Sequence, residues 1–208
     1  DLRDVATARH SETVGRYAEQ IARELRFEVA RVERIRAAGI LHDIGKLGIA
    51  DAVLHKPSAL DAQEWLEIKR HPEIGSRILE HANLRDIGDW VLAHHERMDG
   101  GGYPQGLSAG AIPVEARILA VADAYEAMTS DRPYRSALPL AEARAELRRG
   151  AGTQFDAEIV AVFERILDRT EAPFQATLSA AAAVKAPNSL RPSPSHAARR
   201  SPSSASAT

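Results

Sequence analysis

The feature that most constrains the fold of this chain is the spacing of its apolar residues, which follows the period of an α-helix. Val14, Tyr17, Ile21 and Leu25 recur every three or four positions, as on one face of a helix. The same spacing predicts further helices over about 28–45, around Trp65, from Pro72, around Trp90, from Pro113, over 140–147 and over 156–167. No stretch alternates like a strand, so the sequence predicts an all-α domain over residues 1–170.

The C-terminal segment has a different composition. Residues 176–208 are rich in Ala, Ser and Pro and poor in large apolar side chains. Such a composition cannot bury enough surface to offset the entropy lost on ordering. We therefore expect a disordered tail over 171–208, in which Arg199-Arg200 is a solvated pair rather than a binding patch.

The overall composition excludes several classes of protein. The chain of 208 residues has no cysteine, which rules out disulfides and thiolate metal sites and fits a cytoplasmic protein. No apolar run approaches the roughly 18 residues of a membrane span. The net charge of -2 includes a basic tail, so the domain itself is more acidic and a poor general binder of nucleic acid. The chain starts at Asp1 without a methionine, and we expect a piece of a longer protein.

Histidine and aspartate residues with metal-binding chemistry are spread along the predicted helices. They are His10, His42, Asp43, His71, His94, His95 and Asp123. Imidazole and carboxylate without thiolate suit divalent first-row metals such as iron or manganese, and such a site can hold more than one ion. Two adjacent ions can share a bridging water that becomes a hydroxide nucleophile, and they neutralise phosphate oxygens. Because no Ser-His-Asp pattern, phosphate loop or dinucleotide fingerprint competes with this set, it predicts a two-metal hydrolase of an anionic phosphodiester.

The strongest local motif is the pair His42-Asp43, followed by Gly45 and Lys46. On a helix, spacings of three and four residues would place His42, Asp43 and Lys46 close together. In such an arrangement the carboxylate can bridge two ions while the histidine binds one, and a nearby lysine can stabilise developing negative charge or position the substrate. The alternative is a helix C-terminus, in which Gly45 ends the helix and Lys46 complements its dipole.

The remaining candidates are weaker when each is taken alone. His94 and His95 would diverge by about 100° on a helix, so they could bind different metals or different edges of one pair. Asp123 lies in an apolar helix, where a buried carboxylate is costly unless it is paired or bound to metal. A salt bridge or an exposed helix face is the alternative for Asp123. His71 could simply cap the helix that follows it, and His10 is ambiguous by itself.

Several separate stretches of the sequence together resemble the HD-GYP domain, a branch of the HD phosphohydrolase superfamily. They are His10-Ser11, Leu41-His42-Asp43-Ile44-Gly45-Lys46, Leu54-His55-Lys56-Pro57, His71-Pro72 with Gly75, His94-His95-Glu96-Arg97 through Asp99 to Gly102-Tyr103-Pro104, Ile118 to Asp123, and Ser130-Asp131-Arg132-Pro133-Tyr134-Arg135. The resemblance runs from about Arg3 to Leu167. It implies a helical bundle with two or three metal ions, often iron or manganese. It also implies hydrolysis of cyclic di-GMP to pGpG, and in some members on to GMP, in bacterial second-messenger signalling.

The resemblance implies roles for individual residues as well. It makes the seven histidines and aspartates the metal ligands, with Asp43 as the bridge and Lys46 near the scissile phosphate. Tyr103, Arg132 and Arg135 match positions that contact the ligand in family members. Taken alone, the two arginines could instead be solvated loop charges. Arginine at these positions would supply the local positive charge that recognition of phosphate or a guanine edge requires.

One position departs from the family pattern. Members with three metal ions place a glutamate one helical turn before the first histidine, and this chain has Ala6 there, next to Thr7. We therefore expect two ions rather than three. A missing third ion would limit the second cleavage, so we expect pGpG as the end product.

Partners and alternative functions also follow from the resemblance. The Gly102-Tyr103-Pro104 loop resembles one through which the family is reported to meet GGDEF-type synthases, and a regulatory domain is expected upstream. The alternatives to a cyclic di-GMP phosphodiesterase are a non-catalytic module that senses a cyclic dinucleotide or docks a partner, and an HD hydrolase of another cyclic dinucleotide. Degenerate members usually lose metal ligands, and all seven candidates are present here, which favours an active enzyme.

Overall fold

The described part of the chain is built from α-helices. The computed structural model describes the backbone of residues 2–131 and 136–184 and the side chains of residues 8–131 and 136–170. Its α-helices are α1 (Leu2–Glu24), α2 (Val29–Leu41), α3 (Asp51–Leu54), α4 (Ala62–Ile68), α5 (His71–His81), α6 (Arg85–Leu92), α7 (Val114–Thr129), α8 (Leu140–Gly150) and α9 (Ala157–Val184). Two 3₁₀ helices, Ile44–Gly48 and Ala109–Ala111, lie between them. These residues contain no strand beyond one isolated bridge between Ala151 and Phe155, which confirms the predicted all-α fold.

Three helices begin at residues that stabilise the start of a helix. α4 starts after Asp61, whose carboxylate accepts the backbone N–H groups of Gln63 and Glu64, while the Glu64 carboxylate accepts the N–H of Asp61. This capping box satisfies backbone donors that the start of a helix leaves unpaired. Pro72 lies in the first turn of α5, where its missing N–H has no intrahelical partner to lose. α7 begins directly after Pro113.

α2 ends at Leu41, before the end near residue 45 that the sequence predicts. The His42 Nδ1 donates to the carbonyl oxygen of Gly39 at 2.8 Å, which a longer helix would use for the N–H of Asp43. The chain then enters the 3₁₀ helix, in which side chains three residues apart lie on the same side. Asp43 and Lys46 are therefore neighbours, although the prediction that they share one α-helix with His42 is wrong.

α6 ends at Leu92, before the two histidines that the sequence analysis places on it. The Nδ1 of His94 donates to the carbonyl oxygen of Val91 at 2.5 Å, and a continuing helix would use that oxygen for the N–H of His95. The two histidines lie in a turn instead. Their rings are side by side, with centres 3.9 Å apart and planes tilted by 39°, so the divergence expected on a helix does not apply.

The last helix reaches further along the chain than the sequence predicts. The chain divides into two compact units, Asp1–Thr170 and Glu171–Thr208. α9 ends only at Val184, whereas the sequence analysis expects disorder from residue 171. Residues 176–184 are mostly alanine, which has the highest intrinsic helix propensity. The disordered tail stays a prediction for residues 185–208, which lie outside the described part. None of the described helices combines the length and the hydropathy that a bilayer crossing requires.

Two glycines allow close approach of the segments that carry candidate ligands. A Cβ atom at Gly39 would lie 2.6 Å from the Cα atom of Gly15, so α1 and α2 touch backbone to backbone. A Cβ atom at Gly45 would lie 1.9 Å from the carbonyl oxygen of His71. Only glycine fits at such crossings. They set the distances between candidate ligands that come from different helices.

The core beside the candidate ligands is apolar and closely packed. Rings of Tyr17 from α1, Tyr125 from α7 and Phe163 from α9 have centres 5.1–5.6 Å apart and meet edge to face, an arrangement that aromatic quadrupoles favour. Aliphatic side chains of α1, α2 and α7, among them Ile21 and Ile35, are fully buried around them. This core fixes α1 and α7, which carry candidate ligands, and α2, which precedes two of them.

Candidate metal centre

The candidate ligands converge at one place from five segments of the fold. α1 supplies His10, the turn after α2 supplies His42 and Asp43, the start of α5 supplies His71, the turn after α6 supplies His94 and His95, and α7 supplies Asp123. The centres of neighbouring imidazole rings are 3.9–5.4 Å apart. The structure therefore brings together all of the predicted ligands.

The ligand atoms include two groups that are each compact enough to hold a metal ion. The first, the His71 group, is His71, His94 and His95, and the second, the His10 group, is His10, His42 and Asp43. Within each group the ligand atoms lie within 4.8 Å of one another. The two adjacent histidines thus lie in the same group, whereas the sequence analysis considers only different metals or different edges of one pair.

Asp43 belongs to the His10 group and also reaches the His71 group. Its Oδ1 is 3.4 Å from the Nε2 of His71, while its Oδ2 is 3.4 Å from the Nε2 of His42 and 3.9 Å from that of His10. The Oδ1 of Asp123 lies 3.4 Å and 3.7 Å from the Nε2 atoms of His10 and His42. A carboxylate with one oxygen toward each group could be shared by two ions, and Asp123 adds a carboxylate oxygen beside His10 and His42.

Three of the imidazoles are held so that one nitrogen has no partner. The Nδ1 atoms of His42, His71 and His94 each donate to the carbonyl oxygen of the residue three positions earlier. Because a carbonyl can only accept, Nε2 keeps the lone pair. These Nε2 atoms are buried and find no hydrogen-bond partner in the part of the chain that the structure describes. An unpaired buried nitrogen is costly, and coordination would satisfy it, so the residues present fit a metal ion.

The electrostatics of the site favour metal binding. Burial lowers the pKa of His71, lowers the pKa of His94 well below its usual range and lowers the pKa of His95 to about 4. Burial opposes the charge of Asp43, but nearby positive charge outweighs burial and holds the pKa of that carboxyl well below its usual range. Neutral imidazoles and an ionised carboxylate are the states in which these side chains bind metal ions.

Lys46 and Tyr103 border the candidate ligands. The Nζ of Lys46 donates to the Oδ2 of Asp43 at 2.6 Å. The ring of Tyr103 stacks on that of His95, with centres 4.8 Å apart and planes at 30°, and the Nζ of Lys69 lies 5.4 Å from the centre of the Tyr103 ring. Burial, together with the charge of two nearby aspartates, raises the pKa of Tyr103. The phenol therefore stays protonated at neutral pH and can donate a hydrogen bond.

Glu96 anchors the glycine-rich loop, a role that the sequence analysis does not assign. The residue is 3% exposed, and its carboxylate accepts the backbone N–H groups of Gln105 at 2.6 Å and Leu107 at 3.0 Å. These bonds hold the segment that follows Tyr103. The feature of the sequence that could have indicated this role is an acid that follows two adjacent histidines and precedes a glycine-rich loop.

Glu126 is a second residue of the site that the sequence analysis does not identify. It is buried on α7, three residues after Asp123, and its Oε2 pairs with the Nδ1 of His10. Its Oε1 accepts the hydroxyl of Ser130 at 2.6 Å. The sequence shows a second acid in an apolar helix, but no local pattern indicates which distant imidazole the acid meets.

Two predicted substrate contacts cannot be placed. Arg132 and Arg135 lie outside the described residues. Two other histidines, His55 and His81, are exposed at the surface. They take no part in the candidate metal centre.

Comparison with known proteins identifies related sequences over most of the domain. Residues 1–159 match the sequence profile of a family described as the HD domain. A cyclic di-GMP phosphodiesterase of Thermotoga maritima is 42% identical over 169 residues, which cover 80% of this chain and 46% of that protein. A 3'3'-cGAMP-specific phosphodiesterase of Vibrio cholerae is 37% identical over 169 residues, covering 81% of this chain and 37% of that protein. The chain thus spans less than half the length of these relatives.

Solved structures show the same fold at low sequence identity. An HDG"Y"P protein from Bdellovibrio bacteriovorus superposes with a TM-score of 0.63 at 19% identity, over 78% of this chain and 52% of that one. The HD domain of the phosphodiesterase PgpH from L. monocytogenes, solved in complex with cyclic-di-AMP, superposes with a TM-score of 0.58 at 18% identity, over 81% and 91% of the two chains. At such identities the likeness concerns the fold alone.

Proposed function

The chain belongs to the HD domain family and to its HD-GYP branch, and we propose that it hydrolyses a phosphodiester bond of cyclic di-GMP with two divalent metal ions. The observation that carries the proposal is the position of Asp43, with one oxygen toward each ligand group. The buried Nε2 atoms around it, which have no hydrogen-bond partner among the described residues, support the same proposal. Relatives of this chain are named for cyclic di-GMP and for 3'3'-cGAMP, which favours a cyclic dinucleotide as the substrate class.

Each group of side chains would hold one ion. His71, His94 and His95 would hold the first, and His10, His42 and Asp123 the second, with Asp43 shared between them. When bound, divalent ions at such a site supply a hydroxide nucleophile at neutral pH and neutralise the charge of the phosphate. Iron and manganese suit the imidazole and carboxylate donors.

The residues at the rim would act on the substrate. Lys46 is 35% exposed and already donates to Asp43, so its ammonium can reach a phosphate oxygen beside the ions. Tyr103 remains protonated and can donate a hydrogen bond to the phosphate or the departing oxygen. Arg132 and Arg135 are proposed as further substrate contacts on the strength of the family resemblance. Because Ala6 offers no carboxylate for a third ion, we propose pGpG as the end product.

The test is hydrolysis by protein purified without chelator and loaded with Fe(II) or Mn(II). The substrates would be cyclic di-GMP, 3'3'-cGAMP and cyclic di-AMP, and metal content would be counted on the same preparation. We expect turnover of cyclic di-GMP to pGpG with two ions per chain. Progress to GMP would contradict the inference from Ala6, and a preference for 3'3'-cGAMP would identify the alternative HD hydrolase.

The result also separates an enzyme from a binding module. Two bound ions and a bound dinucleotide without turnover would favour the sensing or docking alternative. Absence of metal would contradict the central proposal. The GGDEF-type partner at the Gly102-Tyr103-Pro104 loop and the upstream regulatory domain stay predictions.

A further inference from the structure

Helix α7 meets both nitrogens of the His10 ring. The Oδ1 of Asp123 lies 3.4 Å from Nε2, and the Oε2 of Glu126 pairs with Nδ1. The two acids are three residues apart, so an α-helix presents them as neighbours on one face. His10 is therefore held between two carboxylates that come from a single helix.

His10 differs from the other oriented histidines in what fixes its ring. The Nδ1 atoms of His42, His71 and His94 donate to backbone carbonyl oxygens, whereas the Nδ1 of His10 meets the side chain of Glu126. An ionised carboxylate only accepts, so Nδ1 carries the proton and Nε2 keeps the lone pair. A hydrogen bond to a carboxylate is also stronger than one to a neutral carbonyl, and such a partner fixes the tautomer and the orientation of a metal-binding imidazole.

Glu126 is itself held in place. The residue is 4% exposed, and its second oxygen accepts the hydroxyl of Ser130 at 2.6 Å. A buried carboxylate is retained only where such partners satisfy it. Its position beside His10 is thus a fixed feature of α7 rather than one of several solvent-exposed conformations.

We propose that Glu126 is a positioning residue that fixes the tautomer of His10 and raises the affinity of the His10 group for its ion. The proposal rests on the two-ion site proposed above. It adds that the two ions are held by different means. In the His71 group, backbone carbonyl oxygens orient His71 and His94. In the His10 group, a backbone carbonyl oxygen orients His42, and the carboxylate of Glu126 orients His10.

The charge of Glu126 can be removed with little change in shape. Glu126→Gln keeps the size and an acceptor oxygen, and we expect the affinity for one of the two ions to fall about 10- to 100-fold while the other ion binds as in the wild type. Titration of the metal-free protein with Mn(II) measures both affinities. Glu158→Gln, the same change of acid to amide at an exposed position on α9, is the matched control and should leave both affinities close to those of the wild type.

Nitrogen NMR of His10 in the metal-free protein tests the tautomer without metal or substrate. We expect Nδ1–H in the wild type and mixed tautomers in Glu126→Ala. An Nε2–H tautomer in the wild type would overturn the proposal, as would unchanged affinities, or equal weakening of both ions, in folded Glu126→Gln.

The ion count distinguishes this proposal from the function on which it rests. A third ion that is bound by the wild type and lost in Glu126→Gln would make Glu126 a ligand and overturn its positioning role. Binding of no ion by the wild type would remove the proposed function together with this proposal. Two ions of unchanged affinity in the variant would contradict the role of Glu126 alone.

Discussion

At the scale of single residues, the candidate centre consists of imidazoles that the fold already holds in a metal-binding state. Hydrogen bonds at Nδ1 set the ring orientation of His42, His71 and His94, and burial leaves their Nε2 atoms without a partner among the described residues. The rings therefore lose little conformational freedom when an ion binds, which favours affinity. Asp43 links the two ligand groups.

Replacement of Asp43 tests whether one carboxylate serves both ions. Asp43→Asn keeps the size of the side chain but removes its charge, and we expect loss of at least one ion and a fall in kcat of at least about 100-fold. Metal content and turnover of cyclic di-GMP would be measured on the same preparation. The control is Asp51→Asn, because the side chain of Asp51 is 95% exposed. Wild-type turnover with a full complement of ions in Asp43→Asn would exclude the proposed role.

At the scale of the elements, most candidate ligands lie where helices start or stop. The Nδ1 atoms of His42 and His94 each donate to a carbonyl oxygen that a longer helix would use for its own backbone hydrogen bond. The same hydrogen bond therefore ends the helix and orients the candidate ligand. Turns at helix ends allow side chains from different helices to meet at one point. This arrangement depends on close backbone crossings and on the loop that follows His95.

Gly45→Ala tests the crossing between the 3₁₀ helix and α5. The added Cβ would lie 1.9 Å from the carbonyl oxygen of His71, and backbone must move to relieve that contact. We expect a loss of stability of about 1–3 kcal/mol, measured by urea unfolding, together with weaker metal binding because Asp43 and His71 are forced apart. Gly110→Ala is the control, since a Cβ there meets nothing within 4 Å. Equal stabilities of the two variants would contradict this account.

Glu96→Ala tests the anchor of the glycine-rich loop. The change leaves the N–H groups of Gln105 and Leu107 without their acceptor, so the loop and Tyr103 should lose their fixed position. We expect KM for the dinucleotide to rise about tenfold, the effect of roughly 1.4 kcal/mol in binding, with metal content unchanged. The control is Asp99→Ala, which removes an exposed acceptor of the Gly101 N–H. A fall in metal content alongside the rise in KM would instead show that Glu96 helps to hold the ions.

At the scale of the whole molecule, the buried histidines link stability to pH. Folding lowers the pKa of His95 to about 4 by burial, and it lowers the pKa of His71 and His94 in the same direction. In the unfolded chain, histidine titrates near pH 6.5. Between about pH 6.5 and 4 the unfolded chain therefore binds more protons than the folded one, and stability falls as pH falls.

The metal-free protein should show this dependence directly. We expect its Tm to decrease between pH 7 and pH 5, a range above the usual titration of carboxylates. His95→Gln should flatten the dependence, because one of the depressed groups is gone, whereas His55→Gln, at an exposed position, should not. Thermal unfolding followed by circular dichroism measures both. A constant Tm across this range would show that the histidines titrate normally in the folded protein.

Much of the fold and of the candidate site could be predicted from the sequence alone. Helical spacing such as that of Val14 and Ile21 identified an all-α domain, because burial of one helix face imposes that period on any such chain. The chemistry of imidazole and carboxylate identified the candidate ligands, because few side chains bind divalent metals without thiolate. Both are properties of residue type and local order.

The tertiary structure alone decided how those residues meet. The sequence analysis predicts Asp43 as the bridge, but which imidazoles share a group follows from backbone crossings at Gly39 and Gly45 that no spacing reveals. The pairing of His10 with Glu126 joins residues 116 positions apart. A hydrogen bond depends on distance in space, and only the packing of α1 against α7 brings that imidazole and that carboxylate within reach of each other.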